Sequence, residues 1–507
     1  MISFTRRDFV RAGLVGGGVL AGAAIASGAG TSVAHATPAL SAGGLTVASL
    51  GLGLTLGFSA NSGILWESAA SRAQSFDFMK AVGATTIRID IPWRWVEQQQ
   101  GKPQWTLIDP VIDAARSRGI SVLGVLTSTP QWAALGRSSN QQTRPADMSQ
   151  WASFASKVAK RYAGKIFAYE IWNEPNGVEY FGPGPDPVAY AAMVRAAFSA
   201  IRGVDPAALV LAGALGPAPA GAAGMMQAVD FFEAMLAEGV GDVDAYSFHP
   251  YDDEQTMAEA AFWDGTAMRT AMRMHEMLRA RGEGHKKIWA TEYGAPSMLG
   301  TSRQTELVVN GMMQWAESGF AGPMYIHHHR DQDANDGYGL ADQNLQPKEA
   351  AYGVQALAAQ QFPQRWEAIV FASNADPALG QSTSPVFRQA DGFAQEHVEG
   401  ARYATPHGWI SSPSAAATIL RRANLLPLST FANGKQDVAQ TGGARIFSSE
   451  QGTWLVVGAI LTAWTEAVGF PTGEQNVVDA NTVTQSFANG TITWRRIGGT
   501  QVQITKR

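Results

Sequence analysis

Two glutamates stand where short apolar runs stop. Glu174 closes the run that begins Tyr169-Glu170-Ile171-Trp172-Asn173, just before Pro175-Asn176, and Glu292 closes Ile288-Trp289-Ala290-Thr291, just before Tyr293-Gly294-Ala295. A buried strand that ends in a carboxylate delivers that carboxylate to a sheet edge beside a loop. Two such ends side by side suit the cleavage of a glycosidic bond. One carboxylic acid protonates the leaving oxygen, and one carboxylate attacks or stabilises the sugar cation. Around Glu174, Pro175 stiffens the backbone past the acid, and Asn173 offers an amide that can donate to one sugar hydroxyl and accept from another. Trp172 adds an apolar wall that disfavours the charged form of a carboxyl beside it.

These residues need a scaffold, and the chain has the rhythm of one. Eight β-type runs recur: 55–58, 86–91, 121–126, 167–172, 209–213, 243–248, 287–290 and 323–327. Between them, 69–82, 108–118, 148–162, 187–203, 225–238, 257–281 and 305–318 carry apolar residues at helical spacing. Val82-Gly83, Arg118-Gly119 and Ser318-Gly319 read as last turns with their caps. The alternation predicts an α/β fold, a (β/α)8 TIM barrel over 45–360, followed by a smaller repeat-containing C-terminal domain. An open doubly wound sheet is the alternative. The barrel is preferred because polar and aromatic residues follow nearly every strand, and only a barrel gathers all those ends on one face.

Asn-Glu-Pro at the end of strand four and a glutamate ending strand seven resemble glycoside hydrolase clan A, the retaining glycosidases built on this barrel. The resemblance implies Glu174 as acid/base and Glu292 as nucleophile, with carboxyl groups ~5–5.5 Å apart. It also implies that His249 and Tyr251, in Phe248-His249-Pro250-Tyr251, line the site, with Tyr251 bonded to the nucleophile, and that Arg88 keeps the nucleophile ionised. Arg88 has a second possible partner in Glu170. Trp93 and Trp132, in aromatic loops after strands two and three, are candidate sugar platforms, although burial is the commoner fate of tryptophan. His327 and His329 alternate with His328 and are expected to share one face of the subsite. Asp331, Asp333 and Asp336 follow without an EF-hand spacing, so no metal is expected. The phrases around Thr127–Trp132 and His249–Tyr251 are similar to the family 39 and family 5 branches, which include β-xylosidases, α-L-arabinofuranosidase-like enzymes and exopolysaccharide hydrolases.

Composition narrows the rest. The chain has 507 residues, a 46% hydrophobic fraction, a net charge of −5 and no cysteine. The weak charge and the lack of a basic stripe argue against a nucleic-acid partner. Without cysteine there are no disulfides, thiolate metal sites or cysteine nucleophiles. Thr5-Arg6-Arg7-Asp8-Phe9 resembles the twin-arginine export motif. A Gly/Ala/Val-rich stretch and Ala34-His35-Ala36 follow, so residues 1–36 are expected to be a signal peptide, an uncleaved anchor being the alternative. No later stretch is apolar for long enough to span a membrane.

Past residue 362 the rhythm stops. Gly400-Ala401-Arg402-Tyr403 recurs as Gly443-Ala444-Arg445-Ile446-Phe447 and again near Gly490, a period of about 45 residues. With Val468-Gly469-Phe470-Pro471-Thr472, this region, 375–507, resembles the LGFP repeat of exported actinobacterial cell-wall proteins. That resemblance implies envelope association through wall polysaccharide; a stabilising β-rich appendage is the plainer reading. The expectation is thus an exported retaining glycosidase that needs no cofactor and acts on a carbohydrate such as arabinogalactan, mannan or xylan. A transglycosylase using the same intermediate and a non-catalytic carbohydrate-binding wall protein are the rivals.

Overall fold

A computed structural model describes residues 55–218, 221–333, 336–360 and 365–504. The expected signal peptide, residues 1–36, lies outside the described residues. Strands β1 (Leu56–Asn61), β2 (Thr86–Pro92), β3 (Ser121–Thr127), β4 (Ala168–Ile171), β5 (Leu209–Leu215), β6 (Ala245–Phe248), β7 (Ile288–Tyr293) and β8 (Ala321–Ile326) form a closed barrel in chain order. β1 pairs with β8 in parallel, as every other neighbouring pair does. The (β/α)8 expectation therefore holds, and all strand ends point one way.

Local chemistry explains the element bounds. The helix Ala69–Val82 starts at Ser68, whose hydroxyl accepts from Ser71 N, and stops at Gly83 with φ 103°. The stretch 257–281, expected as one helix, divides into Met257–Phe262 and Ala267–Ala280. Between them Gly265 takes φ 84°, and the Thr266 hydroxyl donates to Trp263 O at 2.7 Å, a side-chain bond that competes with helix continuation. The helix that returns from β8, Glu349–Ala359, was not foreseen.

The apolar core has two layers. Leu123, Ala168, Leu211, Ala245, Trp289 and Tyr325 fill the barrel itself, and a larger cluster lies between barrel and helices. Gly57 is required by the inner layer, since a Cβ there would sit 2.3 Å from the Tyr325 ring.

After the barrel come three antiparallel sheets: β9–β12 (Phe387–Gln389, Gly392–His397, Gly400–Thr405, Gly408–Pro413), β13–β15 (Lys435–Val438, Ala444–Ser449, Gly452–Val457) and β16–β19 (Asn476–Asp479, Thr482–Phe487, Gly490–Arg495, Gly499–Ile504). The recurrent phrases at 400, 443 and 490 each open an inner strand of one sheet. The first sheet shares the barrel's core through Phe387, Ala394, Ala401 and Tyr403. Buried Arg421 donates to Phe262 O at 2.9 Å and meets Glu396 at 3.0 Å, and Arg269 meets Glu396 at 2.6 Å. Among the described residues no helix is long and apolar enough to cross a membrane.

Candidate active site

The loop after β4 carries Glu174 and leans on the loop after β5. Trp172 and Glu174 both adopt left-handed backbone, with φ of 69° and 46°, and Ala214 takes φ 47°. Three contacts hold this geometry. Glu174 N donates to Ala214 O at 2.9 Å. Ala214 N donates to the Ser247 hydroxyl at 2.7 Å. Asn176, fully buried, accepts from Gly216 N and donates to Gly216 O, both at 2.9 Å. Gly216 is thereby pinned beneath Glu174, where a Cβ would lie 2.6 Å from the Glu174 carboxyl carbon. Nothing in the sequence motif announced Gly216 or Asn176, because their role is fixed by a neighbouring loop.

Glu292 ends β7 and lies opposite. Its carboxylate accepts from Arg88 Nη1 at 2.6 Å, Tyr251 OH at 3.0 Å and Ser59 Oγ at 3.4 Å. Glu174 meets His249 Nδ1 at 2.8 Å, and that same nitrogen lies 3.8 Å from Glu292. One oxygen each of Glu174 and Glu292 and a nitrogen of His249 all fall within 4.8 Å of one another. Among the described residues this is the group spaced to ligate a cation, but the Arg88 guanidinium already supplies a positive charge at Glu292.

Burial alone would push the Glu292 carboxyl upward. His249 and His327 when protonated, the permanent Arg88 cation and the Tyr251 hydroxyl outweigh it and hold Glu292 well below the usual carboxylate range. Burial and the charges of Glu292 and Glu174 raise the Tyr251 phenol well above its usual value, so it stays a donor. Burial also lowers His327, against the pull of Glu292.

Arg88 fills both roles open to it. It bonds Glu170 at 2.7 Å as well as Glu292, and its Nη2 donates to Asn173 Oδ1 at 2.7 Å. Asn173 thus keeps its amide N–H groups and one remaining lone pair on Oδ1 to offer a sugar.

Other expectations need correction. Trp93 is fully buried, stacked on Phe154 and bonded through Nε1 to Glu97 at 3.0 Å, so it has no face for a sugar. Trp132 is half-buried with its Nε1 tied to Glu97 O at 2.9 Å and its ring edge-on to Trp93. Both rings are gathered around buried Glu97, an acceptor that makes their inward orientation favourable. His327 and His329 do not share a site. The strand ends at Ile326, so alternation does not govern the three histidines. His327 lies 3.5 Å from Glu292, His328 lies 3.6 Å from Asp336, and His329 lies 3.8 Å from Glu67.

Several site residues went unrecognised in the sequence. Tyr338 stacks edge-on against Tyr251 and His327, closing an aromatic wall beside Glu292. Asp90, two residues after Arg88 and on the same face of β2, accepts from Ser62 Oγ at 2.5 Å.

Among solved structures, the fold is similar to a family 39 glycoside hydrolase from the gut symbiont Bacteroides cellulosilyticus WH2, at 16% identity, 70% of this chain, 74% of that chain and a TM-score of 0.48. It is similar to a monomeric beta-xylosidase from Caulobacter crescentus CB15, at 13% identity, 87% and 84% coverage and a TM-score of 0.48. It is also similar to a GH5_18 protein from Streptomyces cattleya in complex with GlcNAc, at 17% identity, 62% and 82% coverage and a TM-score of 0.47. No curated protein matches the chain. The family model for cellulase, glycosyl hydrolase family 5, matches residues 50–324, more than half of the sequence. The chain belongs to that family, and it is a glycosidase of the retaining clan A type.

Proposed function

We propose that this chain is an exported glycoside hydrolase that cleaves a poly- or oligosaccharide by double displacement, with Glu292 as nucleophile and Glu174 as acid/base. The observation that carries the assignment is the pair's spacing together with its unequal surroundings: carboxyl oxygens within 4.8 Å, Glu292 against a guanidinium, Glu174 against an imidazole. Glu292 attacks the anomeric carbon while the leaving oxygen takes the Glu174 proton. Water then gives one of its own protons to Glu174 and attacks the same carbon, freeing Glu292. Arg88 and Tyr251 keep Glu292 charged and aimed, and the Asn173 amide donates to a neighbouring sugar hydroxyl. Arabinogalactan, mannan or xylan is the substrate class, and the C-terminal sheets hold the enzyme near envelope polysaccharide.

Sugar release from a panel of envelope and plant polysaccharides tests the assignment. Wild type should release sugar, and Glu174→Ala and Glu292→Ala should not; release that survives in Glu292→Ala would remove it as nucleophile. Export rests on Arg6-Arg7. Replacing both by lysine should leave precursor inside the cell, and undiminished export would exclude the twin-arginine route. For the envelope, the full chain should cosediment with cell walls and a chain ending at residue 433 should not. Equal sedimentation would take the second and third repeats out of the account.

A further inference from the structure

The space between Glu174 and Glu292 is ringed by donor atoms in a pattern that bond cleavage alone does not require. Arg88 takes only one side of the Glu292 carboxylate. Its Nη1 bonds Oε1, and its Nε is spent on Glu170. The other oxygen, Oε2, faces two imidazoles. His249 Nδ1 lies 3.8 Å from it and His327 Nδ1 lies 3.5 Å from it. The same His249 nitrogen is 2.8 Å from Glu174 Oε1. In a tetrahedral zinc site with bonds of about 2.0–2.1 Å, neighbouring ligand atoms stand about 3.3 Å apart. The three separations scatter around that value, and one oxygen each of Glu174 and Glu292 close the group within 4.8 Å.

His249 is the pivot of the group. It is fully buried, and among the described residues its Nε2 has no hydrogen-bond partner. Its backbone N–H is fixed to Leu215 O at 2.9 Å, and the Tyr251 ring stands edge-on beside it. Nδ1 is thereby aimed between two carboxylates. At 3.8 Å it is too far from Glu292 Oε2 for a hydrogen bond, so the two atoms face each other across a gap. Charge points the same way. Glu170 and Glu292 share one guanidinium, and Glu174 has an imidazole in place of a second one. A divalent cation meets a surplus of negative charge there. Mixed imidazole and carboxylate donors suit zinc, whereas magnesium and calcium favour six or more oxygens.

We propose that Glu174 Oε1, His249 Nδ1, Glu292 Oε2 and His327 Nδ1 bind one zinc ion, which silences the enzyme reversibly. The site itself rests on this geometry. The silencing rests on the reading of Glu174 and Glu292 as the catalytic pair, because a metal that holds one oxygen of each excludes the sugar from between them.

The test titrates zinc chloride into the full chain in a calorimeter, after dialysis against a chelator. Wild type should bind one equivalent. His249→Ala, His327→Gln and Glu174→Gln, each checked for an unchanged melting transition, should bind about tenfold or more weakly. His285→Ala, which alters an exposed histidine away from the site, should bind as wild type does. X-ray absorption at the zinc edge of the wild-type complex should show imidazole nitrogen beside carboxylate oxygen. No binding by wild type, equal binding by His249→Ala, or a shell of oxygen alone overturns the site. Binding of magnesium chloride as tight as that of zinc overturns it too. On any sugar substrate that wild type cleaves, zinc should raise KM and leave kcat unchanged. Zinc that binds without raising KM overturns the silencing. A chain that cleaves no substrate fails as a glycosidase, and the calorimetry then decides the metal site on its own.

Discussion

Arg88 serves at least four side chains at once, Ser59, Glu170, Glu292 and Asn173, and is itself fully buried. Removing it strands two carboxylates, so Arg88→Met should lose ~3–5 kcal/mol of stability in urea titration. Its charge also helps hold Glu292 low. The acid limb of kcat/KM should therefore move up in the variant, by about one to three pH units, and an unmoved limb would show that Arg88 does not set the ionisation of Glu292. Because the folded-state value of Glu292 is depressed, its contribution to stability is present above the ordinary carboxylate range. It is lost as pH falls toward the lowered value. Melting temperature should drop from pH 5 toward pH 2 in wild type and fall less steeply in Glu292→Gln; parallel curves would contradict the linkage. At this scale the sequence was readable where residue type and strand position left one chemistry, as for Glu174, Glu292, His249 and Tyr251, which the structure brings together. Trp93 and Trp132 were not readable in this way, since a tryptophan after a strand can face solvent or turn inward. What decided it was Glu97, whose position in space the sequence did not disclose.

Between elements, the β4 and β5 loops act as a clasp. Its parts are Asn176 on one side and Gly216 on the other, with Tyr190 OH donating to Ile171 O at 2.7 Å and accepting from Gly213 N at 2.8 Å. A methyl group at residue 216 would displace the Glu174 carboxyl while leaving the core intact. Gly216→Ala should therefore reduce kcat about 100-fold with a small change in melting temperature, and a change under threefold would show that Glu174 tolerates the shift. Asn176→Ala should cost about 1–3 kcal/mol for the backbone groups it leaves unpaired, measured by urea titration, and a neutral result would dissolve the clasp. Strand and helix existence was legible because the barrel repeats one pattern. The break at 263–266 was not, since the apolar spacing runs on across it and only the Gly265-Thr266 turn interrupts the helix.

Across the whole molecule, the change of composition near residue 362 does not mark a clean physical boundary. The first C-terminal sheet shares the barrel's apolar cluster, and Arg421, Glu396 and Arg269 form a part-buried ion network across the junction. Arg421→Ala should lose about 3–5 kcal/mol in a single cooperative transition. Removing residues 474–507 should leave the barrel's melting transition in place, because that sheet packs mainly in a separate cluster with Phe447, Val456 and Ile460. A barrel transition that persisted unchanged in Arg421→Ala would mean that the two regions unfold independently. The repeat period was visible in the sequence because each copy reuses Gly at an inner-strand start; the shared core was not, because it depends on long-range packing.

The most direct measurement is covalent trapping of the intermediate. Wild type is incubated with activated 2-deoxy-2-fluoro xylosyl, mannosyl and glucosyl fluorides, digested with trypsin and weighed by mass spectrometry. The account predicts time-dependent inactivation by at least one reagent, with a single glycosyl group on peptide 288–303 at Glu292 and none on the same peptide of Glu292→Ala. A glycosyl group on the peptide that bears Glu174, or on any other, would contradict it.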